Sequence, residues 1–156
     1  MIAPADDLDR IMLVMAAAFD PLYNEAWTRR QVEDALLFGN CHYLLIDEFG
    51  NYPDNYPAAG FSLLRTCMDE EELLLFAVDP RFRRRGLGLG MLRQRAKSAP
   101  SRGITRILRE MRKGNPAGAL YTRFGFRPIG ERPNYYRLAN GERLDAVTYA
   151  YDIPRG

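Results

Sequence analysis

The stretch that decides the fold is LLLFAVDPRFRRRGLGLG, residues 73–90. Its first six residues are all apolar, which indicates a strand buried in the middle of a sheet, and Asp79-Pro80 ends that strand. The loop that follows has the pattern Arg-x-x-Gly-x-Gly and leads into a helix predicted over residues 87–99. Helix starts attract anions through their unpaired N–H groups, and glycines let the backbone approach a phosphate closely. The loop at residues 83–88 is therefore predicted to bind a phosphate or a pyrophosphate.

Two other phosphate-binding patterns do not fit this loop. A Walker loop carries a lysine directly after its second glycine, and no lysine follows here. The dinucleotide fingerprint needs a third glycine where this chain has Met91, and it normally opens a series of βαβ units near the N-terminus. An exposed basic helix start with incidental glycines remains as the alternative.

Periodicity on both sides of the loop predicts an α/β fold with the order ααβββαβαββ, in which helices flank one mixed sheet. The second helix is expected to begin at a capping box formed by Thr28 and Gln31, and to end at Gly39. A long loop that contains Tyr135 and Tyr136 is expected between the last two strands. The predicted helices span residues 7–19, 29–38, 87–99 and 115–124, and the predicted strands span residues 42–47, 58–66, 71–78, 104–111, 126–131 and 146–153.

Length and composition limit the class of protein. The chain has 156 residues, of which 47% are hydrophobic and 27% charged, which is typical of a single folded domain over residues 1–156. No apolar run approaches the roughly 18 residues of a membrane span, and no basic leader is seen, so a cytoplasmic protein without a membrane partner is expected. The chain has one histidine and two cysteines, and we expect both cysteines to be reduced. So few ligands do not predict a metal site.

Charge is distributed unevenly along the chain. Residues 1–80 hold 15 acidic and 4 basic residues, whereas residues 81–156 hold 5 acidic and 18 basic residues. Two interpretations stay open: the halves attract each other across the fold, or the protein has a basic site for an anion and an acidic site for a cation. Because Arg83, Arg84 and Arg85 are concentrated at one helix start, a nucleic-acid partner is not expected.

Three motifs, in their usual order, resemble the GNAT superfamily of N-acetyltransferases. The loop at residues 83–88 resembles its pyrophosphate motif, and residues 76–80 resemble the strand along which the pantetheine arm lies. The segment NPAGALYTRFGF, residues 115–126, resembles the Asn…Ala…Leu-Tyr…Gly-Phe signature. The resemblance implies acetyl-coenzyme A as cofactor. The implied cofactor-binding residues are Phe76, Ala77, Val78, Arg83, Arg84, Arg85, Gly86, Leu87, Gly88, Leu89 and Asn115.

Within this superfamily, the sequence is most similar to the ribosomal-protein-alanine N-acetyltransferases. The similarity lies in REMR at residues 109–112, NYY at residues 134–136, Asp145-Ala146 and Trp27. It implies that the acceptor is the N-terminal alanine of a small-subunit ribosomal protein, with Trp27, Tyr135 and Tyr136 in the acceptor site. Acids such as Glu25 and residues 70–72 are expected to attract a basic protein tail.

In that family, the residue matching Glu110 is the general base and the residue matching Tyr121 is the general acid. An α-amino group has a pKa of about 8 and must lose a proton before it attacks a thioester, and a carboxylate can accept that proton. A tyrosine hydroxyl can protonate the departing thiolate. A surface glutamate and a core tyrosine are the structural alternatives.

Several points remain open from the sequence. Asn115 lies six steps before Tyr121, where the family usually has seven, so a cofactor contact and a simple helix cap are both open. Whether Glu110 acts directly or through water is not predicted, and neither is the oligomeric state. The alternative acceptors are a small-molecule amine and a lysine side chain. A member of the fold that only binds coenzyme A is disfavoured because Glu110 and Tyr121 are both present.

Overall fold

The computed structural model describes residues 5–155. Its order of elements is ααβββαβαββ, which confirms the prediction, with short 3-10 turns at three of the connections. The helices are α1 (Ala5–Ala18), α2 (Arg29–Phe38), α3 (Leu87–Ser98) and α4 (Gly118–Phe124). The strands are β1 (Cys41–Ile46), β2 (Gly60–Cys67), β3 (Glu70–Val78), β4 (Arg106–Arg112), β5 (Arg127–Arg137) and β6 (Arg143–Asp152).

The strands form one mixed sheet in the order β1-β2-β3-β4-β6-β5. All neighbours are antiparallel except β3 and β4, which run parallel. A parallel pair needs a crossover connection, and α3 provides it. The start of α3 therefore lies beside the end of β3, near the middle of the sheet.

Apolar residues on both faces of the sheet hold the helices in place. On one face, α1 and α2 bury Leu8, Ile11, Val14, Met15, Val32 and Leu36 against Leu45, Phe61, Leu63, Leu75 and Ala77. On the other face, α3 and α4 bury Leu92 and Tyr121 against Leu64, Leu73, Ile107 and Met111. We call these the α1–α2 face and the α3–α4 face.

The capping box at the start of α2 is confirmed. Thr28 Oγ1 accepts a hydrogen bond from the Gln31 N–H at 3.2 Å, and Gln31 Oε1 accepts one from the Thr28 N–H at 2.7 Å. Both bonds satisfy N–H groups that a helix start leaves without partners. The predicted helix end at Gly39 is also observed.

Strands β3 and β4 pair over only part of their length. Glu70 to Leu73 pair with Arg106 to Arg109, and no later residue of β3 pairs with β4. On its other side, β3 has a bulge at Leu74, because Leu63 and Leu64 of β2 pair with Leu75 and Leu73. A bulge bends its strand, so β3 turns away from β4 at this point. We call the resulting opening the β3–β4 gap.

The last hairpin differs from the prediction. Tyr135 and Tyr136 lie in strand β5 rather than in a long loop, and only residues 138–142 separate β5 from β6. The predicted strand ended at residue 131, before Pro133, but the observed β5 continues to Arg137 as the edge strand of the sheet. An edge strand tolerates prolines, and two register shifts accommodate the extra residues.

Helix α4 begins at Gly118 rather than directly after Asn115. Asn115 Oδ1 accepts a hydrogen bond from the Ala117 N–H, and the Asn115 carbonyl accepts one from the Gly118 N–H, both at 3.0 Å. Asn115 thus caps a single turn that precedes the helix. Among residues 5–155, no helix combines the length and the apolar character needed to cross a membrane.

Candidate active site

A cavity of about 560 Å³ lies where the β3–β4 gap opens, next to the starts of α3 and α4. Most of the predicted site residues line it: Phe76, Ala77, Val78, Arg83, Arg84, Gly86, Leu87, Gly88, Leu89, Asn115 and Tyr121. Five predicted residues are not among its lining residues: Trp27, Arg85, Glu110, Tyr135 and Tyr136. The cavity therefore combines the open edge of β3 and the loop that follows it with α4, which lies further along the sequence.

The loop before α3 is shaped by two residues with positive φ. Arg84 has a φ of 64° and Gly86 a φ of 75°. A Cβ atom on Gly86 would meet no atom within 4 Å, so glycine is favoured there by its backbone conformation rather than by lack of space. Gly88 is different, since a Cβ there would lie 3.1 Å from Leu120 Cδ2. Its glycine allows α3 and α4 to approach each other.

The three consecutive arginines have different surroundings. Arg83 Nε donates a hydrogen bond to the Val78 carbonyl at 3.2 Å, and Arg85 forms an ion pair with Glu48 at 2.7 Å. Arg84 is exposed, lines the cavity and has no ion-pair partner among residues 5–155. Among residues 5–155, Arg84 is therefore the loop arginine whose guanidinium forms neither a hydrogen bond nor an ion pair, while Arg83 and Arg85 are bonded to the rest of the fold.

The geometry fits the expected cofactor. The first N–H groups of α3 have no partners within the helix, and together with Arg84 they suit a pyrophosphate. Beyond Leu73, the edge of β3 that faces β4 is open, so Phe76 to Val78 present backbone groups to the cavity. Such an edge suits the amides of a pantetheine arm, in the same way that a sheet edge accepts a peptide.

Tyr121 lies on α4 at the inner end of this cavity and is only 1% exposed. Its ring packs edge-on against Phe76 and Phe126, with ring centres 5.8 and 5.4 Å away. Burial raises the pKa of its hydroxyl, and the nearby Arg109 guanidinium opposes that rise. The hydroxyl therefore stays protonated at neutral pH, next to a cation.

Glu110 lies on the opposite face of β4. The strand alternates, so Arg109 and Met111 face α4, whereas Glu110 and Arg112 face the α1–α2 side. Thr148 Oγ1 donates a hydrogen bond to Glu110 Oε2 at 3.3 Å, and Arg132 Nε lies 3.6 Å from the same oxygen. The Glu110 carboxylate thus contacts one residue of β6 and one of β5, on the opposite face of the sheet from the cofactor loop.

Arg112 connects this side to the segment between α1 and α2. Its guanidinium lies 3.5 Å from the Tyr23 ring centre and 3.6 Å from Glu25 Oε1, and all three residues line the cavity. Asp20 also lines the cavity from the same segment. Tyr23 and Arg112 are not among the site residues predicted from the sequence. The available signal was a polar, irregular segment, residues 20–25, between two amphipathic helices.

The predicted acceptor residues lie in two places. Tyr136 is half-buried near Glu110, and burial together with that carboxylate raises its pKa to about 12. Tyr135 is exposed, packs edge-on against Tyr136 and stacks with the Arg132 guanidinium at 5.1 Å. Trp27 packs against the core of the α1–α2 face instead. Its backbone N–H donates a hydrogen bond to Met15 Sδ at 3.0 Å.

The expectation that residues 70–72 attract an acceptor is wrong for Glu71. Glu71 is fully buried and contacts His42 at 2.9 Å, Arg95 at 3.0 Å and Arg102. The pairs of Glu71 with Arg95 and Arg102 join an acid of the N-terminal half to bases of the C-terminal half, as do Glu48–Arg85 and Glu25–Arg112. Part of the uneven charge distribution therefore serves attraction within the fold.

Comparison with known proteins agrees with this geometry. Residues 9–126 match the acetyltransferase (GNAT) family. The [ribosomal protein bS18]-alanine N-acetyltransferase of Salmonella typhimurium is 36% identical over 115 residues, which are 67% of this chain and 77% of that protein. A putative [ribosomal protein bS18]-alanine N-acetyltransferase of Bacillus subtilis is 30% identical over 139 residues, 88% of this chain and 85% of that protein.

The crystal structure of the ribosomal-protein-S18-alanine N-acetyltransferase from Escherichia coli matches this structure with a TM-score of 0.78 at 28% sequence identity. The match covers 100% of this chain and 94% of that chain. The family match spans most of the chain and includes the loop, the β3–β4 gap and α4. The chain therefore belongs to the GNAT acetyltransferase family and is an acetyl-coenzyme A-dependent N-acetyltransferase.

Proposed function

We propose that this enzyme acetylates the α-amino group of a protein N-terminus in the cytoplasm, and that the acceptor is the N-terminal alanine of ribosomal protein bS18. The relatives from S. typhimurium and B. subtilis bear this activity in their names. The observation that carries the proposal is the placement of Glu110 and Tyr121 on opposite faces of the sheet beside the β3–β4 gap. An acceptor from one face and a cofactor from the other would meet there.

On the α3–α4 face, the chain's own groups hold and orient the cofactor. Arg84 and the first N–H groups of α3 bind the pyrophosphate, and the open edge of Phe76 to Val78 aligns the pantetheine arm. Asn115 lines the same cavity, and since its Oδ1 is taken by the Ala117 N–H, its Nδ2 group is the one to donate to the cofactor. Bound acetyl-coenzyme A supplies the activated acetyl thioester.

On the α1–α2 face, acidic and aromatic groups receive the acceptor. Asp20 and Glu25 line the cavity and attract the positive charge of a basic N-terminal tail. Tyr136 lies near Glu110, Tyr135 packs against Tyr136 on the edge strand, and the two rings cover the peptide from that side. An extended peptide that enters over these groups brings its α-amino group to the gap.

Glu110 and Tyr121 then move the two protons of the reaction. Glu110 Oε2 is oriented by Thr148 and accepts a proton from the α-amino group, which lets the neutral nitrogen attack. The backbone N–H groups on the open edge of residues 76–78 line the cavity and would polarise the thioester carbonyl. Tyr121 Oη donates its proton to the departing sulfur.

The direct test measures release of free coenzyme A from acetyl-coenzyme A. The acceptors are a basic six-residue peptide with an N-terminal alanine, the same peptide with its N-terminus blocked, and a blocked peptide with one added lysine. Thiol release with the free peptide alone supports the proposal. Release with the lysine peptide points to side-chain acetylation. Release with none of the three, while calorimetry still detects cofactor binding, points to a small-molecule amine.

A further inference from the structure

Arg109 is a buried cation without an acidic partner. It is 9% exposed and lies on the face of β4 whose other members, Ile107 and Met111, are apolar and 2% exposed. Among residues 5–155, no carboxylate lies within ion-pair distance of its guanidinium, and its Nε is buried without a hydrogen-bond partner. Burying an uncompensated charge is costly, so a position of this kind calls for a function.

Two backbone carbonyls account for only part of its bonding. Arg109 Nη1 donates to the carbonyls of Leu73 and Leu74, both at 3.0 Å, at the point where β3 leaves β4. The rest of the guanidinium faces Tyr121, whose ring centre lies 5.7 Å from the guanidinium carbon. Arg109 therefore bridges the apex of the β3–β4 gap and the hydroxyl-bearing residue of α4.

The other neighbours of Tyr121 leave Arg109 as the main charge near it. The Tyr121 ring packs against Phe76 of β3 and against Phe126, which lies just before β5. Neither phenylalanine carries a titratable group. β6 contributes Tyr149 to the same cluster, and α3 contributes the apolar Leu92. Glu25, from the segment between α1 and α2, acts from a greater distance and raises the pKa of Tyr121 only after the effects of burial and of Arg109.

We propose that Arg109 is a positioning residue that stabilises negative charge on Tyr121 Oη when this hydroxyl gives its proton to the departing sulfur. The inference rests on the proposed role of Tyr121. In that step the Oη–H bond breaks as the proton moves to the sulfur, whose electron pair comes from the broken acyl C–S bond. The phenolate that remains recovers a proton from solvent before the next turnover.

The size of the effect follows from the separation. The guanidinium carbon of Arg109 lies 5.7 Å from the Tyr121 ring centre. At an effective dielectric constant of about 20, a unit charge at about this distance changes a pKa by roughly two units. Burial alone makes Tyr121 a poor acid, and Arg109 offsets part of that effect. A buried tyrosine thus becomes a useful acid without being exposed to water.

The test is a double-mutant cycle between Arg109 and Tyr121. Arg109→Met keeps length and removes the charge, Arg109→Lys keeps the charge, and Arg106→Met on the same strand is the matched control. We expect Arg109→Met to lower kcat about tenfold and to move the alkaline limb of the kcat–pH profile up by one to two pH units. Arg109→Lys keeps the limb near its original position. In a Tyr121→Phe background, Arg109→Met has little further effect on kcat.

Two results overturn the inference, and they are distinguishable. If Tyr121→Phe lowers kcat but Arg109→Met causes the same loss in both backgrounds, Arg109 only holds the gap open, and the proposed function stands. If Tyr121→Phe leaves kcat unchanged, the proposed role of Tyr121 fails, and this inference fails with it. Calorimetry with acetyl-coenzyme A and a thermal melt verify that each variant is folded.

A second readout does not depend on turnover and needs no Arg109→Met protein. Tyrosinate absorbance is measured against pH in four proteins, which form two pairs. The first pair is the wild type and Tyr121→Phe, and the second is Arg109→Lys and the double variant that combines Arg109→Lys with Tyr121→Phe. The difference between each Tyr and Phe pair isolates Tyr121 from the other eight tyrosines. A Tyr121 titration that is similar in the wild type and in Arg109→Lys, together with the upward shift of the alkaline limb in Arg109→Met, supports the inference. A shift upward by one unit or more in Arg109→Lys means that the charge is not the cause, and overturns it.

Discussion

The two faces of the sheet build their parts of the active site in different ways. On the α3–α4 face, one nearly continuous stretch, residues 76–89, supplies most of the proposed cofactor site. On the α1–α2 face, three separate segments supply the proposed acceptor side: residues 20–25, residues 110–112 and residues 132–136. The cofactor side is therefore set by local backbone geometry, whereas the acceptor side exists only when distant segments pack together.

Because the two faces are built from different segments, we expect substitutions on each face to affect different steps of the reaction. Changes on the α3–α4 face should alter cofactor affinity, and changes on the α1–α2 face should alter turnover or acceptor affinity while the cofactor still binds. Arg109 and Tyr121 are the exceptions, since they lie on the α3–α4 face but we propose that they act where both substrates meet. A substitution that alters both cofactor and acceptor parameters elsewhere would break the comparison.

The largest effect is expected from Gly86→Asp. The substitution places an L residue at a φ of 75° and a negative charge at the start of α3, where the pyrophosphate is expected. We expect acetyl-coenzyme A affinity to fall by at least about 100-fold, below detection by calorimetry. The acceptor side should stay folded.

The matched control for this change is Gly103→Asp. Gly103 has a φ of 72°, and a Cβ there also meets no atom within 4 Å, but it lies beyond the other end of α3. The control should bind the cofactor with nearly wild-type affinity. Equal loss in both variants would show that backbone strain, rather than charge against phosphate, is responsible.

Glu110→Gln should have the next largest effect. Removing the general base is expected to lower kcat by about 100-fold or more, with cofactor affinity unchanged. The deficit should shrink above about pH 8, because the acceptor amine then loses its proton to solvent. Glu131→Gln, on the neighbouring edge strand, is the control. A pH-independent deficit would show that Glu110 positions the acceptor and does not accept its proton.

The parts of the fold that follow local rules were predictable from the sequence. The capping box at Thr28, the buried strand at residues 73–78 and the glycine loop at residues 83–88 each depend on neighbouring residues, and their elements are found where they were expected. Helix α4 shows the limit of such rules, since a proline after Asn115 favours a helix start but a separate turn forms first.

The parts that depend on tertiary pairing were not predictable. The predicted strand ended at residue 131 and a loop was expected after it, but pairing with β6 at the edge of the sheet extends β5 to Arg137. The bulge at Leu74 leaves no mark in a run of leucines, yet it opens the gap that forms the cavity. Arg109 had a recognisable signal, because it is the charged member of an otherwise apolar face, Ile107 and Met111.

Glu25→Gln tests the acceptor side and should have a smaller effect, on the KM for the acceptor peptide. The change removes a carboxylate that lines the cavity and leaves Arg112 without its acidic partner, so a basic peptide meets less attraction. We expect the KM for the basic peptide to rise about tenfold, the order of one partly screened charge pair, with kcat little changed. Glu33→Gln, a half-buried position on α2 that does not line the cavity, should leave KM unchanged.

High salt provides the check on this interpretation. Added salt screens charge attraction, so the difference in KM between wild type and Glu25→Gln should narrow as ionic strength rises. A difference that persists at high salt would mean that Glu25 shapes the site by fixing Arg112, and does not attract the peptide.

The smallest expected effect is on the stability of the protein. It concerns the C-terminal end of α3, where Glu71 pairs with Arg95 and Arg102, and not the N-terminal end, where the cofactor is expected. Burial alone would raise the pKa of Glu71, but hydrogen bonds from His42 and Arg102 and the charge of Arg95 lower it to about 2. A carboxyl group with a lowered pKa in the folded state stabilises the protein above its ordinary pKa, near 4.5, and this contribution is lost as the pH falls towards 2.

Urea unfolding of the wild type at pH 6, 4.5 and 3 should therefore show a falling free energy of unfolding, with at most roughly 3 kcal/mol attributable to Glu71 over the whole window. Glu71→Gln removes this titration, so its unfolding free energy is lower at pH 6 but declines less on acidification. The difference between the two pH slopes isolates Glu71 from the other carboxylates. If the slopes are equal, the cluster adds no pH dependence, and α3 is fixed to the sheet by its apolar contacts alone.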